Sequence, residues 1–278
     1  MTATGTKKVQ GHYYYYLKHF YRDGRIPRVI ELYIGPTIPG REDLDRLKAD
    51  LVSKVFRKRW SQAIEAVRTR YRESQARMSP AAQRKALDEF IVRFTRDSLK
   101  LEGSSLDLAH VRDIALKNVV PSARPLDEVL DAKAHVDTCH IAFQGTIPLS
   151  VGMIAEWERQ LAMYGRAPVP SQPGSADPFI KKTIEGYLGA KDSTNPALLA
   201  AIVLFRLARN AVPGENLGRI ARICVNYVLL AAAYPPVTIG LPERQGYTGA
   251  IKRAKARDDE LLFVAWFFRV YLKQQAIK

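Results

Sequence analysis

Only two cysteines occur in this chain, Cys139 and Cys224, each inside an apolar helical pattern. No framework of pairs and no metal-ligand spacing can be built from them, which excludes a disulfide scaffold and a zinc module; buried free thiols in a reducing cytosol are expected. Histidine is sparse as well: His12, His19, His110, His135 and His140. There is no H-E-x-x-H, and His135 and His140 stand five apart, off a common helical face. Structural or surface roles are expected for all five. No stretch reaches the roughly 18 apolar residues of a membrane span; the run 198–205 is too short and is flanked by Arg206 and Arg209. The opening, MTATGTKKVQGH, lacks the apolar core of a signal peptide, so a cytoplasmic protein with no membrane partner is expected. The G-x-x-x-x-G-K-S/T, G-x-G-x-x-G and G-x-S-x-G patterns are missing too, which removes the common phosphate-loop and serine-hydrolase readings.

Acids are few relative to bases: 28 against 43, a net charge of +15 over 278 residues. That balance suits an anionic partner such as a nucleotide, nucleic acid or acidic protein, and equally suits a solvated basic surface. The apolar share, 47%, is enough for a real core in a chain of this length.

Strand signals are confined to residues 12–35, HYYYYLKHFYRDGRIPRVIELYIG, with Asp23-Gly24 as the turn of a hairpin. Pro27 places the second strand after it or at a sheet edge. A lone hairpin is marginal in water, so it should pack on the body or pair with a second copy, making a homo-oligomer one expectation. Its tyrosines alternate with Lys18, His19, Arg22, Arg25 and Arg28, compatible with a nucleic-acid face or with one packed and one solvated face. After a linker at 36–40 the pattern is helical: one basic helix over 42–78, then Ser79-Pro80 as cap and first residue of a helix ending at Gly103. Ser105 or Asp107 caps a helix over 108–118, Asp127 opens another, and 146–163 forms a shorter one. Residues 165–178, rich in Pro and Gly, read as loop. A helix over 179–190, a central helical pair over 195–235 and a last helical region over 243–275 complete a mainly α architecture with a small N-terminal β-hairpin. Three segments follow: 1–40, a hairpin appendage and linker; 41–84, a basic helical region; and 85–278, the helical body.

The central pair carries the chemistry. An almost wholly apolar helix leads into Pro213-Gly214-Glu215-Asn216-Leu217-Gly218, and the next helix sets Arg219 and Arg222 on one face. A helix start has unpaired N–H groups and a positive dipole end, and two arginines beside it make an anion site.

Two stretches carry a family resemblance. Ser98-Leu99-Lys100-Leu101-Glu102-Gly103 is similar to the inhibitory helix motif S/T-x-x-x-E-G/N of Fic (Fido-fold) proteins. Residues 195–239 resemble the Fic core: a Pro-initiated helix, H-x-F-x-D/E-G-N-G-R-x-x-R, then an apolar helix ending in Y-P-P. The segment E-R-x-x-Y-x-x-A-I at 243–251 fits the family's last segment, and the opening hairpin is similar to one found ahead of some archaeal Fic-like proteins. The resemblance covers roughly residues 85–275. It implies a Fic-like helical bundle that transfers AMP from ATP, with Mg, to a side-chain hydroxyl of a target protein. In the family the motif His is the general base, the acid binds Mg, the loop and helix start hold the phosphates, and the inhibitory Glu competes for the second Arg.

Carried onto this chain, the match is partial. Ala211 occupies the His position and Pro213 the Phe position. Glu215 is the metal-binding acid. Asn216 replaces the first Gly and Leu217 the phosphate-contacting Asn, while Gly218, Arg219 and Arg222 remain. Glu102, with Ser98 and Gly103, forms the inhibitory element, so a Glu102–Arg222 ion pair is expected. A general base contributes a hundred- to ten-thousand-fold, and alanine cannot supply it. The family's target-clamping flap falls at 165–178, which has no strand pattern here. The resemblance therefore implies a degenerate Fic protein, impaired in catalysis, that acts by nucleotide or partner binding. Two alternatives stand beside it: a nucleic-acid-binding protein using its basic surface, and an active transferase with a displaced base such as Glu102 or Glu215.

Overall fold

A computed structural model describes residues 2–145, 147–164, 177–212 and 215–276. The elements among them are β1 (Thr2–Val9), β2 (His12–Asp23), β3 (Ile26–Gly35), α1 (Arg41–Arg59), α2 (Ser61–Ala76), α3 (Pro80–Leu101), α4 (Leu108–Arg112), α5 (Leu126–Phe143), α6 (Val151–Tyr164), α7 (Pro178–Ala190), α8 (Pro196–Ala208), α9 (Leu217–Ala231), α10 (Leu241–Arg257) and α11 (Glu260–Ala276). The mainly α class with a small N-terminal sheet stands. No described helix is long and apolar enough to cross a membrane.

The hairpin expected from the sequence supplies two strands of a three-stranded antiparallel sheet, ordered β1-β2-β3. The added strand, TATGTKKV, has no apolar alternation and is held by pairing rather than by its own propensity. Thr2 lies opposite His19 and Val9 opposite His12. The turn between them uses positive φ at both Gln10 (49°) and Gly11 (89°), the geometry of a type I′ hairpin turn. The Gly24-Arg25 turn has positive φ at Gly24 (60°), and Pro27 sits on an edge strand where its missing N–H costs nothing. The sheet is docked, not free: Leu17 and Ile30 are buried in the same apolar cluster as α1, α8 and α11.

Three expected helices are each broken in two. The 42–78 helix bends at Trp60 (φ −130°), which turns its indole onto Phe268, 5.2 Å between ring centroids. The 108–118 helix becomes a π-helical turn at Asp113–Lys117 and ends on left-handed Asn118. The 243–275 region breaks at Asp258 (φ 48°), where a second apolar face begins against α8. Caps elsewhere follow the sequence. Ser79 accepts from Ala82 N, with Pro80 in the first turn, and Asp107 rather than Ser105 caps α4. The loop expected at 165–178 falls, up to residue 176, outside the described residues, as does Pro213.

α9 is the axis of the body. Every residue from Arg219 to Leu229 is buried, walled by α5, α6 and α8. α8 can face it because it is apolar but for Arg206; Asn195 caps it through Ala197 N, and Pro196 starts it. A smaller cluster of Val92, Leu99, Leu106, Val111, Ile114, Val129 and Ala132 locks the C-terminal half of α3 to the N-terminal half of α5. That contact fixes where Ser98, Glu102 and Asp131 meet α9.

Candidate anion site at the start of the central helix

Ser98 and Glu102 are one helical turn apart at the end of α3, so both project from one face. Gly103 (φ 91°) ends the helix directly behind them in a conformation that disfavours other residues. Arg219 and Arg222 are likewise three apart on the first turns of α9. The two faces meet. Arg222 donates from Nε to Ser98 Oγ (2.9 Å) and from Nη2 to Ser98 O (3.3 Å) and Glu102 Oε1 (2.6 Å). Arg219 donates from Nε to the other Glu102 oxygen at 2.5 Å and from Nη1 to Asp131 Oδ1 at 2.5 Å. The expected Glu102–Arg222 pair is present, and Glu102 also takes Arg219.

Two cations and two carboxylates thus form a neutral, largely buried cluster, the state in which buried charge is tolerated. Burial pulls the Arg219 guanidinium down, but the carboxylates of Glu102 and Asp131 outweigh it and hold it above its ordinary value. Behind the cluster, Glu128 accepts at 2.9 Å from Ser104 Oγ, Ser105 N and Ser105 Oγ, tying down the chain that leaves Gly103.

Asp131 is the member that sequence reasoning missed. Glu128, Asp131, His135 and Thr138 recur at helical spacing, and all four are buried on α5. A polar stripe at core positions was the available signal. His135 accompanies it, fully buried, 3.0 Å from Thr95 Oγ1 through Nδ1 and 3.5 Å from Cys139 Sγ. Burial, then the charges of Arg219 and Arg222, push its pKa well below the usual imidazole value, so it stays neutral. The Cys139 and Cys224 thiols are both buried and free, and burial pushes both up.

The loop side is emptier. Glu215 is exposed. Asn216, the residue before α9, is 6% exposed and makes no cap hydrogen bond, and neither its Oδ1 nor its Nδ2 has a partner. Leu217 turns into the core. A methyl group placed on Gly218 would lie 3.4 Å from Arg222 Nη1, 3.8 Å from Ala211 Cβ and 3.9 Å from Glu102 Oε1. Ala211, Arg222 and Glu102 therefore surround one small space at the helix start. No group of three or more His, Cys, Asp or Glu suited to a metal occurs among the described residues.

An orphaned buried amide, two arginines and an uncapped helix start fit a phosphate group, provided Glu102 withdraws. Glu215 alone fits the modest protein share of a Mg ion that arrives on nucleotide phosphates, since such ions keep several waters and take one or two carboxylates.

No family model matches the chain. Among curated proteins it is similar to the protein adenylyltransferase Fic of Drosophila melanogaster, 23% identical over 200 residues, and to that of Culex quinquefasciatus, 24% identical over 199 residues. These alignments take in 65% and 64% of this chain but only 40% of either relative's length. Among solved structures it is similar to a Fic-domain-containing signaling protein from Bacteroides thetaiotaomicron, with a TM-score of 0.66, 19% identity, and coverage of 77% of this chain and 94% of that one. Fic-1 of C. elegans gives a TM-score of 0.64 at 19% identity, covering 86% of this chain and 76% of that one.

Proposed function

We propose that this chain, a Fic-fold protein, binds the phosphates of ATP with Mg at the start of α9, holds that site shut with Glu102 at rest, and transfers no adenylyl group. The observation that carries the reading is the span of Glu102: one carboxylate engages both arginines that a phosphate would need.

Binding would follow from exchange. Arg219 and Arg222 would pass from Glu102 to phosphate oxygens, the Asn216 amide would gain the partner it lacks, and Glu215 would face the metal. Bound, Mg would spread the negative charge of the phosphates. Asp131 would keep Arg219 oriented throughout, because its bond does not depend on Glu102.

Transfer needs a group to accept the proton of an attacking hydroxyl. Ala211 cannot, and the neighbouring amide of Asn210 cannot at neutral pH. His135 is sealed behind the arginines and is a poor base there. These features favour a binding protein over the displaced-base transferase.

Titration of Mg-ATP by calorimetry, with α-labelled ATP incorporation measured in parallel in a lysate, tests both halves. Binding in Glu102→Gly with background label supports the proposal. Absence of binding in both wild type and Glu102→Gly, or clear label in either, overturns it.

A further inference from the structure

From Tyr16 onward, past a bulge in its pairing with β3, β2 alternates about the sheet plane. Leu17, His19 and, opposite them, Leu32 and Ile30 face the body. The other face should be polar on a half-buried antiparallel sheet. It is aromatic instead: Tyr14, Tyr16 and Phe20 of β2 and Tyr33 of β3 share it, with Phe20 48% and Tyr33 50% exposed. The rings are gathered, Tyr33 lying 5.4 Å from Tyr16 and 6.2 Å from Tyr14 between centroids.

Cations are interleaved with the rings. Lys7 of β1 sits 4.8 Å from the Tyr16 ring centroid. Lys7 and Lys18 both reach Glu31, the single acid on this face, so the carboxylate is neutralised twice over. Residues 2–35 hold six Lys and Arg against two acids. Lys54 of α1 reaches the sheet as well, its Nζ donating to Glu31 O at 2.7 Å.

We propose that this outer face binds single-stranded nucleic acid. Every unpaired base has a π-face to stack on an exposed ring, and its phosphates meet the surrounding cations. A duplex cannot use the rings, because its bases are already stacked on one another. A second copy of the chain is the poorer occupant: apposing two such faces sets one basic sheet against another. The platform lies on the sheet, apart from the helix start and its arginine cluster, and stands independently of the nucleotide reading.

The test is fluorescence anisotropy of a labelled twelve-nucleotide oligo-dT with the full chain at several salt concentrations. The expected result is saturable binding, with log Kd rising by about 2 to 3 per log unit of salt, as for three or four single-strand phosphates. Phe20→Ala and Tyr33→Ala should each weaken binding by roughly tenfold at unchanged circular dichroism. Tyr33→Phe should bind as wild type does, because the ring and not the hydroxyl stacks. Tyr13→Ala, a change that leaves this face intact, should be neutral. The proposal is overturned by no binding at 50 mM salt, by equal affinity for a duplex of the same length, or by indifference to both alanine changes. A dimer in sedimentation that Tyr33→Ala dissociates would also overturn it, since a second copy would then cover the face.

Discussion

Glu102 Oε1 accepts from Arg222 Nη2 at 2.6 Å across 120 residues of chain, joining the end of α3 to the second turn of α9. The other oxygen of the same carboxylate takes Arg219. A single carboxylate thus engages both arginines at the helix start, and the cluster around it ranks the consequences of its mutation.

Asp131 is the deeper of the two acids, with 6% of its side chain exposed against 30% for Glu102. Asp131→Asn leaves part of a buried guanidinium charge uncompensated and should cost about 3 kcal/mol. Glu102→Gln should cost less, because solvent reaches it and Ser98 still holds Arg222. Urea denaturation of the two variants measures the order.

Asn216 buries two polar atoms without partners, a state that costs about 1–3 kcal/mol. Asn216→Ala should therefore leave the ligand-free protein as stable as wild type or more so, while weakening Mg-ATP binding in the Glu102→Gly background. A stable variant that binds with undiminished affinity would assign the amide no ligand.

Adenylyl transfer should be at background in wild type and in Glu102→Gly. Ala211→His, added to Glu102→Gly, restores a base of the right type at the position beside Gly218. Any rise in label from α-labelled ATP should require that change, by about a hundredfold or more where the loop permits reaction.

Stability should fall in mild acid. Burial, then the N-terminal charge, lowers His19 from 6.5 to about 4, and burial holds His135 well below its ordinary value. Above pH 6.5 both are neutral folded and unfolded, and neither matters. Below 6.5 the unfolded chain gains protons that the fold refuses, so stability drops as pH falls toward about 4. The slope is about 1.4 kcal/mol per pH unit for each histidine. His19→Gln should remove one of the two contributions, read from denaturation midpoints between pH 4 and 7.

The central helices were legible because their code is local. Asn195-Pro196 starts α8, the apolar run identifies a buried helix, and Arg219 and Arg222 are a fixed three apart. Glu102–Arg222 was legible only through the family pattern, since nothing in spacing alone joins residues 120 apart. The double grip of Glu102 and the role of Asp131 were not legible, because both depend on how α3 and α5 pack on α9. β1 escaped for a different reason. TATGTKKV carries no alternation of its own and becomes a strand only where β2 offers its edge. Trp60 and Asp258 broke helices whose periodicity continues across the break, because packing of the Trp60 indole and a left-handed residue at 258 decide the bend.

The resting closure by Glu102 is tested most directly by the shift in melting temperature on adding Mg-ATP, compared between wild type and Glu102→Gly. The shift is the quantity to compare, since Glu102→Gly lowers the ligand-free melting temperature by taking one carboxylate from two buried arginines. At a hundred times Kd, ligand stabilises by about 2.7 kcal/mol, which for a chain of this size is a rise of several degrees. A rise of that order in Glu102→Gly and a small one in wild type is expected. Equal shifts in the two proteins, or none in either, would contradict it.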